Sequence, residues 1–232
     1  MSSLLLAVDT SGKNGSVALC RMRPGQTEIY VVEIIPLSGG AFSAELVPQI
    51  AALLKRHGYT KSALDAFAVA TGPGSFTGLR VGLAAIKALA EALQKPIVAI
   101  SVLAALAWSS AASRTHVLTA LDAGRGDLYV GDYEINSLVP KLVYMHSERL
   151  LSREELITAA NGKTVITSEK LIAETLQLAG IRAELVDYPN STVIARMGWD
   201  LLRRGETVRP EELEANYIRR SDAEIFSKPP QR

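Results

Sequence analysis

The sequence predicts an internally duplicated α/β fold of two lobes, the second reduced. An apolar strand ending in an aspartate, a Gly-containing turn and a second strand occurs twice, in "LLAVDTSGKNGSVAL" and in "VLTALDAGRGDLYV". Apolar periodicity alternates between two and 3.6 residues along the first half, as strand–helix–strand units require. The 232 residues, 48% hydrophobic and 21% charged, suffice for one large or two small domains with a real core. A coincidental pair of hairpins would give the same local match, so duplication is an expectation.

Residues 4–8 are an apolar run stopping at Asp9-Thr10-Ser11. A turn cluster and the run 16–20 follow, which reads as a hairpin closed by Asn14-Gly15. Residues 28–35 are a third strand. From Ser43, the residues Leu46, Val47, Ile50, Leu53 and Leu54 fall at helical spacing up to His57-Gly58. Pro48 is tolerable there only within about the first turn. A buried strand at 66–70 runs into "ATGPGSFTGLRVG", then a helix over 78–93 ends at Lys95-Pro96. A strand at 97–100 and a helix at 102–112 complete this half. The first lobe is thus residues 1–100 and the second 101–232. Weaker helices stand at 154–160, 170–180 and 193–204, and the final tail is expected to pack back on the first lobe.

Net charge is +1, so no strong field favours nucleic acid or an anionic membrane. Arg219-Arg220 lie among Glu211, Glu212, Glu214, Asp222 and Glu224 and read as solvated surface. The single cysteine, Cys20, sits in an alternating run and reads as a small core hydrophobe. The opening "SSLLLAVDTS" meets an aspartate by residue 9 and does not read as a leader. Other apolar stretches are too short or interrupted to span a bilayer. A cytoplasmic protein without membrane contact is expected.

Three chemistries compete for the Gly-rich loop and the strand ends. A nucleophile elbow at Ser75 needs glycines two residues to either side, where Pro73 and Thr77 stand. A phosphate cradle fits strand, Gly-rich loop and helix start, and would use Gly72, Gly74, Ser75, Thr77 and Gly78. Yet the Gly-Lys-Ser/Thr ending is missing, and close strand–helix packing explains the same glycines. The strand-end aspartates, Asp9 with Thr10 and Asp122, resemble the loops of actin-like and hexokinase-like ATPases, where acidic groups hold Mg²⁺ through water. The alternative is an Asp bonded into its own turn. His57, His116 and His146 are isolated, without HxxxH or HExxH spacing, and suit surface or capping roles. No catalytic or metal-ligating residue is assigned.

"GPGSFTGLRVGLAAIKALA", preceded by "AVDTS" and followed by "PIVAISVLAALA", "LDAGRGDLYVGDY" and "ANYIRR", resembles the TsaB (YeaZ) family over nearly the whole chain. Residues 135–210 match loosely. The resemblance implies the actin-like, hexokinase-like fold of two ribonuclease-H-like halves. It also implies a non-catalytic partner of the paralogue TsaD in threonylcarbamoylation of N6 of the tRNA adenosine next to the anticodon. TsaD-like proteins carry "NHxxGH" where this chain reads "SVLAAL", so the two ligand histidines fall on Val102 and Leu106. TsaB relatives usually have a His where this chain has Phe42, while Ser43, Leu46 and Pro48 fit the family's pattern.

The helix after the loop carries nearly two apolar stripes, Gly78, Gly82, Ala85, Leu89, Ala92 and Leu79, Leu83, Ile86, Ala90, Leu93. A surface helix needs one. The surplus is buried either by the chain's own core or by a partner. On the partner reading, which the family implies, the faces at Leu46, Ile50, Leu53, Leu54, Gly78, Leu79, Gly82, Leu83, Ala85, Ile86 and Leu89 meet TsaD in a heterodimer. TsaE then joins a larger complex, tRNA is met only indirectly, and the lone chain pairs with a second copy. No cofactor is expected to bind tightly; ATP or ADP with Mg²⁺ is expected only weakly, in the complex. The competing function is a stand-alone ATP-dependent phosphotransferase or ATPase of the same fold, and a metallopeptidase is the third.

Overall fold

The computed structural model describes residues 3–23, 26, 29–111, 115–136 and 142–219. Strand β1 (Ser3–Asp9) pairs antiparallel with β2 (Gly15–Met22), and β2 with β3 (Tyr30–Leu37). On its other side β1 runs parallel to β4 (Ala66–Gly72), and β4 to β5 (Ile97–Ser101). The second sheet repeats this plan. β6 (Thr115–Gly124) pairs antiparallel with β7 (Asp127–Asn136), β7 with β8 (Leu142–Ser152), and β6 runs parallel to β9 (Thr164–Thr167), which pairs with β10 (Ala183–Leu185). The orders β3-β2-β1-β4-β5 and β8-β7-β6-β9-β10 are the same order. The duplication read from two short motifs is therefore a duplication of topology.

Side-chain alternation turns the sheets into a five-layer stack. In β4, Phe67 and Val69 join Leu6 and Val8 against α1 (Phe42–Arg56) and α2 (Phe76–Leu93). Ala66, Ala68 and Ala70 face the other way, towards α3 (Val102–Ser109) and α6 (Ser191–Arg203). Those alanines let α6 lie close, and a Cβ on Gly198 would stand 2.6 Å from that of Ala68. The same central layer receives Val117, Leu121, Tyr133 and Ile135 from the second sheet. The outer face of that sheet packs Leu118, Ala120, Leu128 and Val130 under α4 (Arg153–Ala159) and α5 (Lys170–Leu178). Cys20 is fully buried, and burial pushes its thiol up to about 12.

Several boundaries differ from expectation. The link between β1 and β2 is not a two-residue turn at Asn14-Gly15: Asp9 pairs with Ser16, and Gly15 already lies in β2 against Leu37. A Cβ on Gly15 would meet the Asp9 carbonyl oxygen at 2.7 Å, so that glycine answers a close approach. Pro48 is the seventh residue of α1, beyond the first turn. It and Ala44, whose carbonyl loses the helical donor, both lie on the exposed side, where water takes the freed acceptor. The helix α2 starts at Phe76 because Ser75 caps it, its hydroxyl accepting from the Gly78 N–H at 3.3 Å.

The boundary expected between residues 100 and 101 falls inside β5, and α6, from the second half of the chain, packs on β1, β2, β4 and β5. The chain after α6 also returns to the first sheet. The Val208 N–H donates to Ile97 O at 2.8 Å, Leu213 enters the core under α1 and α2, and the Asn216 N–H donates to Thr71 O at 2.8 Å. The Asn216 amide, the Ser101 hydroxyl and the Tyr133 hydroxyl all donate to the half-buried Glu148 carboxylate, which ties this segment to both sheets. Burial, with that carboxylate beside it, holds the Tyr133 phenol well above its ordinary range. Of the expected tail, residues 220–232 lie outside the described residues.

Candidate functional site

The two lobes face each other across a cleft of about 1100 Å³, lined from the first lobe by Asp9, Ser11, Lys13 and Ser75 and from the second by Asp122 and Glu169. Asp9 and Asp122, predicted as a pair from the repeated motif, are thus brought to one cavity. Their environments differ. Asp9 is 2% exposed, and its Oδ1 accepts from the Ser11 N–H at 2.9 Å and the Ser11 hydroxyl at 2.5 Å. Burial pushes its carboxyl up to about 6, against the lowering effect of those two bonds. Ser11 Oγ also lies 2.9 Å from the Tyr188 hydroxyl, whose own pKa is raised by burial and by Asp9. Asp122 is exposed; its Oδ1 accepts from the Gly124 N–H at 3.0 Å, and its own N–H donates to Glu169 at 2.8 Å. Each aspartate is bonded into its own turn.

The Gly-rich loop closes on the β1–β2 loop. The Ser75 N–H donates to Ser11 O at 2.7 Å, and the Thr10 hydroxyl donates to Gly78 O at 2.8 Å. A Cβ on Gly74 would run into the Ser11 carbonyl oxygen, one on Gly78 into the Thr10 carbonyl oxygen, and one on Gly82 into the Thr10 hydroxyl. Gly72 has φ +106° and precedes a cis peptide bond to Pro73. Gly74, Gly78 and Gly82 thus serve close contact of the Gly-rich loop and the start of α2 with the β1–β2 loop. Ser75 and Thr77 are exposed to the cleft, but the Ser75 hydroxyl and N–H are engaged as described. Phe42 is buried, its ring against Gly15 and Gly78.

The residues predicted to face a partner are mostly turned inward. Leu46, Ile50, Leu53, Leu54, Gly78, Leu79, Gly82, Leu83 and Ile86 are buried within the chain itself, and of the eleven residues only Ala85 and Leu89 keep partial exposure. The reason is packing on two sides: α2 lies in the angle between the sheet and α1, which buries Leu79, Leu83, Ile86 and Ala90 of one stripe and Gly78 and Gly82 of the other. What remains outside is a strip of mostly small residues on each helix. Ala84, Ala88 and Ala92 on α2, and Ala44, Val47, Pro48 and Ala51 on α1, are exposed. Sequence spacing had set Val47 and Ala92 on the apolar stripes and did not single out Ala44, Ala51 or Ala88, because alanine is equally at home in core and on surface.

Reasoning from the sequence also missed Ser11, Tyr188 and Glu169, which complete the cleft. The "DTS" turn offered a signal for Ser11; nothing local marked the other two. Of the histidines, His57 ends α1 and lies 2.7 Å from Glu33. His116 and His146 are not isolated in space: their rings stack with centroids 5.1 Å apart.

Comparison with known proteins agrees with this architecture. A family model described as "TsaD: tRNA N6-adenosine threonylcarbamoyltransferase" matches residues 36–225. A protein of Escherichia coli (strain K12) named "tRNA threonylcarbamoyladenosine biosynthesis protein TsaB" is 31% identical over 94% of this chain and 96% of its own length. The chain belongs to the TsaB family. A Bacillus subtilis (strain 168) protein of the same name is 27% identical over 95% of this chain and 96% of its own. The solved structure of YeaZ from Pseudomonas aeruginosa superposes with a TM-score of 0.74 at 27% identity, covering 93% of this chain and 99% of that one. The actin-like duplicated fold expected of a TsaB-family chain is the fold observed. Val102 and Leu106, where TsaD-like relatives carry histidines, are buried among the apolar side chains of the central layer. No helix among the described residues is long and apolar enough to cross a membrane.

Proposed function

We propose that this chain is the non-catalytic scaffold subunit for threonylcarbamoylation of N6 of the tRNA adenosine adjacent to the anticodon, acting in the cytoplasm. Nearly full-length kinship with proteins named for threonylcarbamoyladenosine biosynthesis carries the reading. The subunit docks on a TsaD-family partner, which holds the metal and does the chemistry; TsaE joins the larger assembly, and tRNA is met through the complex. The exposed small-residue strips of α1 and α2 supply the docking face, since alanines allow two helix pairs to approach closely. Alone, the chain pairs with a second copy through the same face. The buried apolar Val102 and Leu106 support a subunit without a metal-dependent centre at that place.

Size-exclusion chromatography of the chain mixed with its cognate TsaD-family subunit tests this. A heterodimer is expected, and Ala88→Arg abolishes it while leaving the thermal midpoint unchanged, because Ala88 is exposed. Assembly of the Ala88→Arg chain at wild-type strength would show that the face is wrong. The cleft holding Asp9 and Asp122 favours a second reading, an ATP-dependent phosphotransferase or ATPase. On the scaffold reading, ATP or ADP with Mg²⁺ binds weakly and only in the complex. Calorimetric titration of the lone chain with Mg-ATP separates the two: micromolar binding, with turnover lost in Asp9→Asn, would establish the enzyme.

A further inference from the structure

The outer face of the second sheet is only partly roofed. Helices α4 and α5 have seven and nine residues, about 10 and 14 Å of helix, over strands of ten and eleven residues that run to about 34 Å or more. At the uncovered end His116 of β6 stands directly opposite Glu134 of β7, on one face of the sheet. From the other side of β7 comes His146 of β8, next to a register shift at Asp132/Tyr133 that makes it the residue without a ladder partner. Such a bulge re-aims a side chain. The two imidazoles lean over the middle strand and stack, 20° from parallel. One nitrogen from each ring and one Glu134 carboxylate oxygen lie within 4.8 Å of one another, and all three residues are exposed.

We propose that His116, Glu134 and His146 form a surface site for one borderline divalent transition-metal ion, with zinc the natural occupant and water as the fourth ligand. Two imidazoles and a carboxylate are a donor set for zinc, copper or nickel, whereas calcium and magnesium demand oxygen ligands. A tetrahedral zinc ion with bonds near 2.0–2.1 Å needs donors about 3.3 Å apart. His116 Nε2 and Glu134 Oε2 are 3.9 Å apart already, and rotation of exposed side chains closes the remainder. The site lies six residues along β6 from Asp122, roughly 20 Å from the cleft, so the ion clamps β6, β7 and β8 together and takes no part in cleft chemistry. The proposal is independent of the scaffold reading.

Titrating zinc chloride into the untagged chain by calorimetry tests the site, with thermal unfolding as a second readout. Saturable binding of one ion per chain and a rise in thermal midpoint are expected. Loss of a ligand should cost at least the about 10-fold that loss of a ligand's own hydrogen-bond partner costs. His116→Ala and His146→Ala should therefore each weaken binding by that much or more, with Glu134→Gln weaker in effect. His57→Ala, at the far lobe, should leave the isotherm unchanged. Absence of saturable binding, or binding that survives the double substitution His116→Ala/His146→Ala, overturns the proposal.

Discussion

The two lobes share a strand order and differ in how helices cover it. In the first, α1 and α2 extend over strands of five to eight residues, bury one apolar stripe of α2 and the start of the other, and present a surplus of small-residue helix surface. In the second, the antiparallel strands have lengthened to ten or eleven residues while the crossover helices have shrunk. Reduction therefore applies to the parallel half of the lobe alone. One lobe ends with spare helix; the other ends with spare sheet, where His116, Glu134 and His146 stand exposed beside Tyr144. Hydrogen-bonding order is the conservative part of a duplicated fold, and the outer helical layer is where the copies part.

The largest expected effect tests whether that difference is energetic. Phe67 is fully buried between β4 and the long helices, and Phe67→Ala should cost about 3–5 kcal/mol. Leu156 is fully buried too, but it belongs to the seven-residue α4, with a small apolar crevice beside it at Leu128, Ile172 and Leu176. Leu156→Ala should cost only about 2 kcal/mol, because the short helix settles into the space. Urea unfolding measures both. Equal losses would break the comparison, leaving the lobes different in shape and alike in strength.

The strand-end aspartates sharpen it next. Asp9 is raised from an ordinary 3.8 to about 6, so the folded state binds its proton more tightly than the unfolded chain does. Its contribution is therefore intact below pH 3.8 and is lost as pH rises through about 6, a fall of up to about 3 kcal/mol across that window. Asp9→Asn keeps an oxygen to accept from Ser11, so it should flatten that part of the pH–stability curve and stabilise the chain at pH 7. The exposed counterpart substitution Asp122→Asn should shift stability by no more than about 0.5 kcal/mol. A pH profile unchanged by Asp9→Asn would show that water reaches this carboxylate.

Much of this was legible in the sequence. The Asp–turn–strand repeat gave away the duplication, and the long helices α1 and α2 stood out by period, within two residues at their starts. What escaped was anything decided by contacts distant along the chain. The stripes on α2 were read correctly as apolar, but periodicity does not say whether a stripe meets a sheet, a neighbouring helix or another protein. Tyr188 meets Ser11 across 177 residues, and His116 meets His146 only because β7 lies between their strands. Phe42, read as a departure from the family, shows a use in space: its ring fills the gap left by Gly15 and Gly78.

The smallest expected effect compares two helix caps. Ser75 caps the eighteen-residue α2 by a single long bond to Gly78, whereas Ser152 closes a full capping box with Glu155 on the seven-residue α4. Removing either hydroxyl should cost about 1 kcal/mol. The readout should differ more than the energy. An eighteen-residue helix held by core packing keeps its amides protected when its cap is lost, so Ser75→Ala lowers global stability slightly and evenly. A two-turn helix cannot sustain itself without its cap, since so short a segment is marginal even in good helix formers. Ser152→Ala should therefore open α4 locally, with hydrogen exchange accelerated in Arg153–Ala159 well beyond the change in global unfolding. Uniform acceleration across both lobes in Ser152→Ala would mean that the short helices of the second lobe are as firmly part of the cooperative unit as the long ones of the first.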